Sequence, residues 1–222
     1  MSFDFSINPV NHPLSAEFVA KFRDVSSPVA NDCYGRRNIM NAAIKPVRKG
    51  MRICGRAVTV SMPPDDNLMM HAALHSAEPG DIIVANTSND RFSGVWGELM
   101  TRAAMSRNLG GLVLDGMCRD SDWIAQSGFP VFSCGTCARG SRKEGPGHVN
   151  IPVACGNVVV NHGDIIIGDD DGVMVIPHQD AEALLPLCLD KLTKEAGRIE
   201  SINSGSAKPS WLMPALEGWQ SR

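Results

Sequence analysis

The sequence lacks several features that would assign it directly to a functional class. No apolar run approaches the roughly 20 residues that cross a bilayer, so we expect no membrane association. Lys and Arg are scattered and the net charge is −3, so there is no basic field for nucleic acid. The seven cysteines form no regular framework and the N-terminus has no secretory pattern, which favours a reduced, cytoplasmic setting.

Three familiar motifs are present only in part. His71 and His75 have the i, i+4 spacing of a zinc-binding helix, but the glutamate of H-E-x-x-H is missing and no third ligand is evident, so core or subunit-interface positions are favoured. Cys134 and Cys137 have redox or zinc spacing without a second matching pair, so packing as small hydrophobic residues is favoured. The glycine-rich loop and acidic strand end expected for an S-adenosylmethionine site are not evident.

Alternating segments in the middle of the chain predict βαβ units and a partly parallel sheet. Strands are predicted at residues 55–62, 79–86, 111–115 and 129–135, and helices at residues 64–77, 93–111 and 119–128. The first 35 residues are predicted to be helical, with Ser15 and Ser27 as N-caps and Pro28 just inside the second helix. The segments PGDIIVAN and HGDIIIGD repeat one turn-into-strand pattern.

The C-terminal third has a different pattern, which predicts β-hairpins, a long helix at residues 178–203 and a tail. Residues 169–172, DDDG, lie between two strand-like runs, so a hairpin turn is favoured over an ion site. No low-complexity linker divides the chain. We therefore predict one mixed α+β domain at residues 1–222, of which residues 178–222 are a C-terminal helix and tail.

The segment GLVLDGMCRD raises the main functional question. Its first half, residues 111–115, is predicted to be a buried strand, and Arg119 and Asp120 follow it closely. In open α/β sheets, ligands bind outside the carboxyl ends of the strands. Asp120 could instead cap the next helix, whereas Arg119 has no such local role.

Glu98 lies in the first turn of the preceding predicted helix, where backbone amides have no intrahelical partner and carry the positive end of the helix dipole. If both segments begin at one edge, two carboxylates, the Arg119 guanidinium and several free amides share a pocket. Such a pocket suits Mg²⁺ or Mn²⁺, a substrate carboxylate and a developing enolate oxygen, as a 2-oxo acid would supply. The alternative is a capped helix beside a surface arginine.

The pattern G-x-x-x-E-x20-R-D, from Gly94 through Glu98 to Arg119 and Asp120, resembles the signature of the class II pyruvate aldolases. These enzymes cleave 4-hydroxy-4-methyl-2-oxoglutarate and 4-carboxy-4-hydroxy-2-oxoadipate, and their family also contains the regulator of ribonuclease activity A. Segments in family order cover most of the chain, among them GRAVTV, DNLMMHAAL and WGELMTRAA. The resemblance implies layered β/β/α architecture like the swivelling phosphohistidine domains, with a C-terminal helical extension, in a homotrimer or homohexamer.

The resemblance also implies roles for individual residues. Arg119 would bind the pyruvyl carboxylate and carbonyl, Asp120 would be the direct ligand of Mg²⁺ or Mn²⁺, and Glu98 would hold a metal-bound water that carries a proton. An acidic residue from the C-terminal helix of a neighbouring subunit would approach the metal through water, with Glu195 as the best match and Glu200 as the second. The backbone amides that would border the substrate are those of Gly97, Glu98, Leu99 and Met100.

The acid at position 98 is a departure, because the aldolases of this family more often have Asp there. The extra methylene of Glu98 could alter metal affinity or protonation. The ribonuclease-regulator branch tends to lack this acid, so its presence favours a metal-dependent enzyme. The two alternatives are a non-catalytic regulator that binds a ribonuclease and a related enzyme that acts on a different oxo acid.

The implied reaction is retro-aldol cleavage of a small-molecule 4-hydroxy-2-oxo acid to pyruvate, with oxaloacetate decarboxylation as a side activity through the same enolate. The base that takes the hydroxyl proton is not identified. Arg36 and Arg37 either bind the far carboxylate of a dicarboxylic substrate or are solvated. Lys45 and Lys49 lie in loop-like sequence that does not suit a Schiff-base mechanism.

Overall fold

A nine-stranded mixed sheet forms the centre of the computed structural model, which describes residues 5–220. The strands are β1 (Phe5–Ile7), β2 (Lys45–Pro46), β3 (Ile53–Ser61), β4 (Ile82–Asn86), β5 (Gly94–Trp96), β6 (Gly111–Asp115), β7 (Met117–Cys118), β8 (Val131–Ser133), β9 (Gly147–Val149), β10 (Val153–Cys155), β11 (Val158–Val160), β12 (Ile165–Gly168) and β13 (Val173–Ile176). The helices are α1 (Ala16–Ala20), α2 (Ser27–Cys33), α3 (Leu68–Ser76), α4 (Glu98–Ser106), α5 (Ser121–Ser127), α6 (Ala181–Asn203) and α7 (Leu212–Gln220).

The strand order in the large sheet is β1-β9-β3-β4-β6-β8-β2, and β12 and β13 extend it beside the first half of β3. Strands β3, β4, β6 and β8 are parallel neighbours, and the helices α3, α4 and α5 lie between them in sequence. The predicted βαβ units and partly parallel sheet are therefore confirmed. The carboxyl ends of β4 and β6 lie at one edge of the sheet, and from this edge the chain continues into β5 and α4 and into β7 and α5.

The repeated turn-into-strand pattern is confirmed in atomic detail. Asp81 Oδ2 accepts a hydrogen bond from the Glu78 amide at 2.9 Å, and Asp164 Oδ2 accepts one from the Asn161 amide at 2.8 Å. A glycine with φ +84° precedes each aspartate. The two turns lead into β4 and β12, which both pair with β3, so the same turn precedes two of the strands that bind the longest strand of the sheet.

Two clusters of buried apolar side chains lie on opposite sides of the β3–β12 region. The larger cluster fills the space between the sheet and α3, α4 and α5, and the smaller one packs α1, α2 and α6 against β12 and β13. On α3 the buried residues are Met69, Met70, Ala73 and Leu74. His71 and His75 are exposed, so the core alternative is wrong for them, while the subunit-interface alternative stays a prediction.

Part of the predicted helix 93–111 is wrong, because Gly94–Trp96 is strand β5. This strand pairs in parallel with β7, and the Trp96 indole is fully buried with its Nε1 donating to Thr101 Oγ1 at 2.7 Å. Pairing with a distant segment has overridden the local helical pattern of the sequence. Helix α4 consequently begins at Glu98, directly after an extended Gly97.

The N-terminal region also differs from prediction. Ser15 caps α1 as predicted, but Phe5–Ile7 is strand β1, parallel to β9. Ser26, rather than Ser27, caps α2 through the Val29 amide. Ser27 is buried and donates its hydroxyl proton to Asp169 Oδ1 at 2.6 Å, which anchors the predicted hairpin turn at residues 169–172.

At the other end of the chain, the predicted tail contains helix α7. The mixed fold with a C-terminal helix is confirmed, while the swivelling phosphohistidine-domain classification stays a prediction. The predicted single domain also covers residues 1–4 and 221–222, which lie outside the described residues. Within residues 5–220, the search for helices of sufficient length and apolar character to cross a membrane finds none.

We predict that Gly55→Ala destabilises the protein by about 1–3 kcal/mol, as overpacking does in a close-packed core. A Cβ at this position of β3 would overlap the Gly80 carbonyl and come within 2.8 Å of Ile82 Cγ1. Chemical denaturation measures the change. Gly197→Ala on α6, where a Cβ meets nothing within 4 Å, is the matched control and should be neutral or stabilising. Equal midpoints for the two variants would contradict the packing argument.

Candidate active site

Two short strands bring distant segments of the sequence together at this site. Strands β5 and β7 are parallel neighbours, with Gly94 opposite Met117 and Trp96 opposite Cys118. Helix α4 begins after β5, and Arg119 follows β7 directly, with its amide donating to Trp96 O at 2.8 Å. The start of α4 and the Arg119–Asp120 pair are therefore held side by side by backbone hydrogen bonds.

Asp120 caps the helix of its neighbour in space instead of its own. Its Oδ2 accepts a hydrogen bond from the Glu98 amide at 2.9 Å, while its side chain makes no capping bond to α5. The carboxylate lies at the positive end of the α4 dipole, where a negative charge is stabilised. Asp120 also has φ +56°, in the left-handed region that Asp tolerates better than most residues. The alternative that Asp120 caps the following helix is thus wrong.

Glycines make room for the side chain of Arg119. A Cβ on Gly94 would lie 2.9 Å from Arg119 Cβ, and one on Gly97 would lie 3.0 Å from Arg119 Cγ and overlap Asp120 Oδ2. A Cβ on Gly140 would lie 3.1 Å from Arg119 Nη1. Arg119 and Asp120 remain 44% and 41% exposed, with 3.7 Å between Arg119 Nε and Asp120 Oδ2. The site therefore presents a guanidinium and a carboxylate to solvent across a glycine-lined surface.

A cavity of about 120 Å³ lies against this pair. It is lined by Asn67, His71, Gly94, Val95, Gly97, Leu99, Met100, Arg119, Asp120, Gly140, Ser141 and Lys143. Of the predicted site residues, the structure brings together Arg119, Asp120 and the first turn of α4. Asn67, Ser141 and Lys143 were not predicted as site residues, and His71 was predicted only at a core or subunit-interface position. The segment DNLMMHAAL was noted for its family resemblance, and its Asn and His were the available signal.

Asn67 is 6% exposed and has an unpaired acceptor. Its Nδ2 donates to Val95 O at 2.9 Å, but its Oδ1 has no hydrogen-bond partner among residues 5–220. A buried carbonyl oxygen without a partner costs free energy, so such atoms usually bind a water or a ligand. Asn67 thus contributes a hard oxygen donor to the wall of the cavity.

The outer wall of the cavity is a loop that two aspartates hold in place. Asp65 forms ion pairs with Arg139 at 2.8 Å and Arg142 at 3.2 Å. Asp66 is buried and accepts hydrogen bonds from the backbone amides at residues 144 and 145. This loop carries Lys143 to the side of the cavity where His71 lies. Burial, with a smaller contribution from the Lys143 charge, lowers the pKa of His71.

The side chain and the backbone of Glu98 have different partners. The backbone amide binds Asp120, whereas Oε1 accepts a hydrogen bond from Arg102 Nε at 2.8 Å. Leu99 is 78% exposed, and Met100 is buried with its sulfur near Asn67 Nδ2. Within residues 5–220, the backbone N–H groups of Leu99 and Met100 donate no hydrogen bond to a backbone or side-chain acceptor, as expected for the first turn of a helix.

The remaining candidates lie elsewhere in the single chain. Glu195 is paired with Lys191 at 3.2 Å in a separate groove on α6, and Glu200 is on the same helix. Arg37 lies over the Tyr34 ring, 5.0 Å from its centroid, and lines another groove. Neither Arg36 nor Arg37 lines the Arg119 cavity.

All seven cysteines are free thiols, including the C-x-x-C pair. Cys134 Sγ faces Asp115 Oδ1 at 3.6 Å, and Cys137 Sγ faces Phe92 O at 3.0 Å, so the two sulfurs have different surroundings. Burial raises the pKa of the Cys134 thiol, which makes it less reactive.

One cluster of possible metal ligands occurs outside the cavity. His12 Nε2 lies 2.9 Å from Asp81 Oδ2 and 3.8 Å from Glu78 Oε2. Arg56 pairs with both carboxylates, at 3.1 Å and 3.2 Å. The Arg56 guanidinium already pairs with both acids, of which Asp81 is buried and Glu78 is exposed, so the group is typical of a structural ion-pair cluster. Sequence reasoning gave no signal for it, because its members come from three separate segments.

Comparison with known proteins decides the family. A family model described as RraA-like, Aldolase/RraA, matches residues 20–175. The chain belongs to the Aldolase/RraA family. The family predicted from Gly94, Glu98, Arg119 and Asp120 is thereby confirmed.

Similar proteins have names of two kinds, an aldolase and inhibitors of RNA processing. A protein of Halalkalibacterium halodurans named "Putative 4-hydroxy-4-methyl-2-oxoglutarate aldolase" is 32% identical over 187 residues, covering 84% of this chain and 89% of that protein. Streptomyces coelicolor RraAS2, described as an unusual member of the RNase ES inhibitor RraA family, has a TM-score of 0.77 and 27% identity over 85% of this chain and 98% of its own. The RNA-processing inhibitor RraA from Thermus thermophilis shares the fold, with a TM-score of 0.64 and 21% identity over 69% of this chain and 93% of its own.

We predict that Asp120→Ala lowers the free energy of unfolding by about 2 kcal/mol. About half comes from the lost cap on Glu98 and half from alanine at a left-handed φ. Asp120→Asn keeps an acceptor oxygen and tolerates this φ, so its stability should stay close to that of the parent. Urea denaturation of both variants is the measurement, and equal losses would show that the capping bond contributes nothing.

Proposed function

We propose that this protein is a divalent-metal-dependent lyase that cleaves a 4-hydroxy-2-oxo acid, such as 4-hydroxy-4-methyl-2-oxoglutarate, to pyruvate by a retro-aldol reaction. Oxaloacetate decarboxylation is the proposed side activity. The observation that carries the proposal is the shared cavity of Asp120, Arg119 and the first-turn amides of α4. The name of the relative from H. halodurans supports the same reaction class.

The donor atoms present suit Mg²⁺ or Mn²⁺. Asp120 uses Oδ2 for the Glu98 amide, and its Oδ1 has no hydrogen bond from the described residues. Asn67 lines the same cavity, and its buried Oδ1 is a second oxygen without a partner among the described residues. We assign Asp120 as the direct ligand, with Glu98 acting through water and Glu195 of a neighbouring copy acting through water as well. When bound, the ion would polarise the 2-oxo group of the substrate as a Lewis acid.

Substrate binding follows from the cationic and amide groups of the cavity. Arg119 presents a planar fork of N–H donors, which fits a carboxylate in bidentate geometry. The amides of Leu99 and Met100 lie at the positive end of α4, where they stabilise the oxygen on which negative charge develops. Lys143 and His71 also line the cavity, and the Lys143 cation, with the His71 imidazole as a hydrogen-bonding neighbour, suits a second carboxylate.

In the proposed reaction, the hydroxyl proton at C4 is removed, the C3–C4 bond breaks, and its electron pair forms the enolate of pyruvate. Arg119 holds the carboxylate and the enolate oxygen in one plane, which limits the motion of the reacting carbon atoms. Glu98 holds the water that returns a proton to C3. The base that removes the hydroxyl proton is left unassigned.

The proposed active oligomer is a homotrimer or homohexamer. A second cavity touches Arg119 and Asp120 from the side of residues 136–138, so the pair lies between two open spaces. Helices α6 and α7 carry exposed apolar side chains, including Trp219 at 78% exposure, and Trp211, directly before α7, is 66% exposed. A neighbouring copy on these surfaces would complete the site and place Glu195 near Asp120.

A second candidate function is non-catalytic binding of a ribonuclease, favoured by the likeness to Streptomyces RraAS2. A third is lyase chemistry on a different oxo acid.

Pyruvate release, coupled to lactate dehydrogenase, separates these candidates. The substrates are 4-hydroxy-4-methyl-2-oxoglutarate and oxaloacetate, each with Mg²⁺ or with excess chelator, and oxaloacetate needs a control without enzyme. Metal-dependent release supports the lyase. No release from either substrate by the folded oligomer would contradict it.

We predict that Arg119→Ala lowers kcat/KM by at least about 100-fold, since one preorganised charge donor is worth about 3 kcal/mol at the transition state. Arg119→Lys keeps the charge but loses the fork, so it should recover only part of the activity. Steady-state pyruvate release is the measurement. Near-normal turnover of Arg119→Ala would refute the assignment of this site.

We also predict that Asp120→Asn abolishes metal-dependent turnover while the fold is retained. The amide preserves the hydrogen bond to Glu98 but removes the charge that binds the metal. Cys134→Ser is the control and should keep its activity, because the Cys134 thiol faces Asp115 and does not line the cavity. An inactive but folded Cys134→Ser variant would mean that the C-x-x-C pair has a role in the reaction.

A further inference from the structure

The carboxylate of Glu98 is held by an arginine one turn further along α4. Arg102 Nε and Nη2 each lie 2.8 Å from Glu98 Oε1. The two side chains are 35% and 56% exposed, for Glu98 and Arg102 respectively. A solvent-exposed i, i+4 ion pair alone stabilises a helix by only about 0.3–0.5 kcal/mol, and it leaves both side chains free to change rotamer. A further contact is therefore needed to hold the two side chains in one orientation.

Trp123 provides that contact. The guanidinium carbon of Arg102 lies 4.3 Å from the centroid of the Trp123 ring, in cation–π geometry. Trp123 is on α5, whose first turn follows Asp120, and Asp120 in turn binds the Glu98 amide. The contacts form a closed circuit that passes from Glu98 through Arg102 and Trp123 back to Asp120. Each acid of the site is thus tied to the helix that carries the other.

We propose that Arg102, held against Trp123, is a positioning residue that fixes the direction of the Glu98 carboxylate relative to Asp120; this inference rests on the proposed function. Arg102 is not among the residues that line the cavity, so it acts through Glu98 and not on the substrate. The flexible side chain of Glu98 loses rotamer freedom to this clamp before any ligand binds. The conformational entropy of the Glu98 side chain is therefore already lost in the free protein and does not oppose ligand binding or the reaction.

A double-mutant cycle on Mn²⁺ binding tests the clamp without catalysis. The dissociation constant is measured from the electron paramagnetic resonance signal of free Mn²⁺ for the parent, Arg102→Ala, Glu98→Gln and the double variant. Loss of a nearby cation alone would tighten Mn²⁺ binding equally in both backgrounds. Loss of positioning weakens binding only where Glu98 is present. The Mn²⁺ ratio, defined as the dissociation constant with Arg102→Ala divided by the one without it, should therefore be at least about fivefold larger in the parent than in the Glu98→Gln background.

Kinetics give a second readout. Arg102→Ala should lower kcat about tenfold with little change in KM, because Arg102 does not contact substrate. Arg102→Lys should recover part of the loss, and Trp123→Ala should reproduce part of it. Arg107→Ala is the control: it removes the same charge at the end of the same helix, from a side chain that binds Ala77 O, and should leave kcat unchanged.

The outcomes separate the two proposals. If the parent binds Mn²⁺ and releases pyruvate, but the Mn²⁺ ratios agree in both backgrounds, the clamp is refuted and the proposed function stands. A raised KM with normal kcat for Arg102→Ala would also refute the clamp, since it would make Arg102 a substrate-binding residue. If the parent neither binds Mn²⁺ nor releases pyruvate, the proposed function fails and the clamp fails with it.

Discussion

The hydrogen bond from the Glu98 amide to Asp120 Oδ2 joins the two segments on which the candidate site depends. It requires the parallel pairing of β5 with β7, because that pairing sets the start of α4 beside Asp120. It also requires glycine at position 97, since any Cβ there would overlap the same carboxylate oxygen. A single interaction thus couples strand pairing, a glycine and a left-handed aspartate, and a change in any of them would alter the position of the others.

The distribution of charge around this bond explains why the cavity suits anions with a carboxylate. Arg119, His71 and Lys143 lie around a space whose apolar floor comes from α4 and β5. The single acid that faces the same space, Asp120, is already partly neutralised by the helix dipole and by Arg119. The fold alone does not separate a lyase from a ribonuclease regulator, because both occur on this scaffold. Under the proposed function, the separation depends on a few side chains at the start of α4 and the end of β7.

The sequence was sufficient for those parts of the fold that are governed by local pattern. The apolar runs of β4, β6 and β12, the cap at Ser15 and the two Gly-Asp turns were all predicted from neighbouring residues. The family was predicted from resemblance to a known signature and to several family segments, and the placement of Glu98 in a first turn from the predicted helix. The strand at Gly94–Trp96 was not predicted, because its three residues continue a helical pattern and only the pairing with β7 makes them extended.

The missed parts of the site depend on tertiary contacts that leave no local signal. His71 was predicted at a core or subunit-interface position because the other ligands of a zinc-binding helix are missing, yet it borders the cavity. Lys143 reaches the site only because Asp66 holds its loop through two backbone amides some 78 and 79 residues away in sequence. The unpaired oxygen of Asn67 becomes apparent only after every hydrogen bond around it has been assigned.

The capping role of Asp120 has a consequence for ion selectivity. Because the Glu98 amide already uses one lone pair of Oδ2, an ion at the proposed metal site would coordinate more readily through Oδ1 alone than through both oxygens. Large ions such as Ca²⁺ commonly take carboxylates in bidentate fashion and require six to eight oxygen ligands, whereas Mg²⁺ accepts one or two carboxylate oxygens and retains its waters. A helix cap would in this way discriminate between ions by denticity, without any side chain that excludes the larger ion by size.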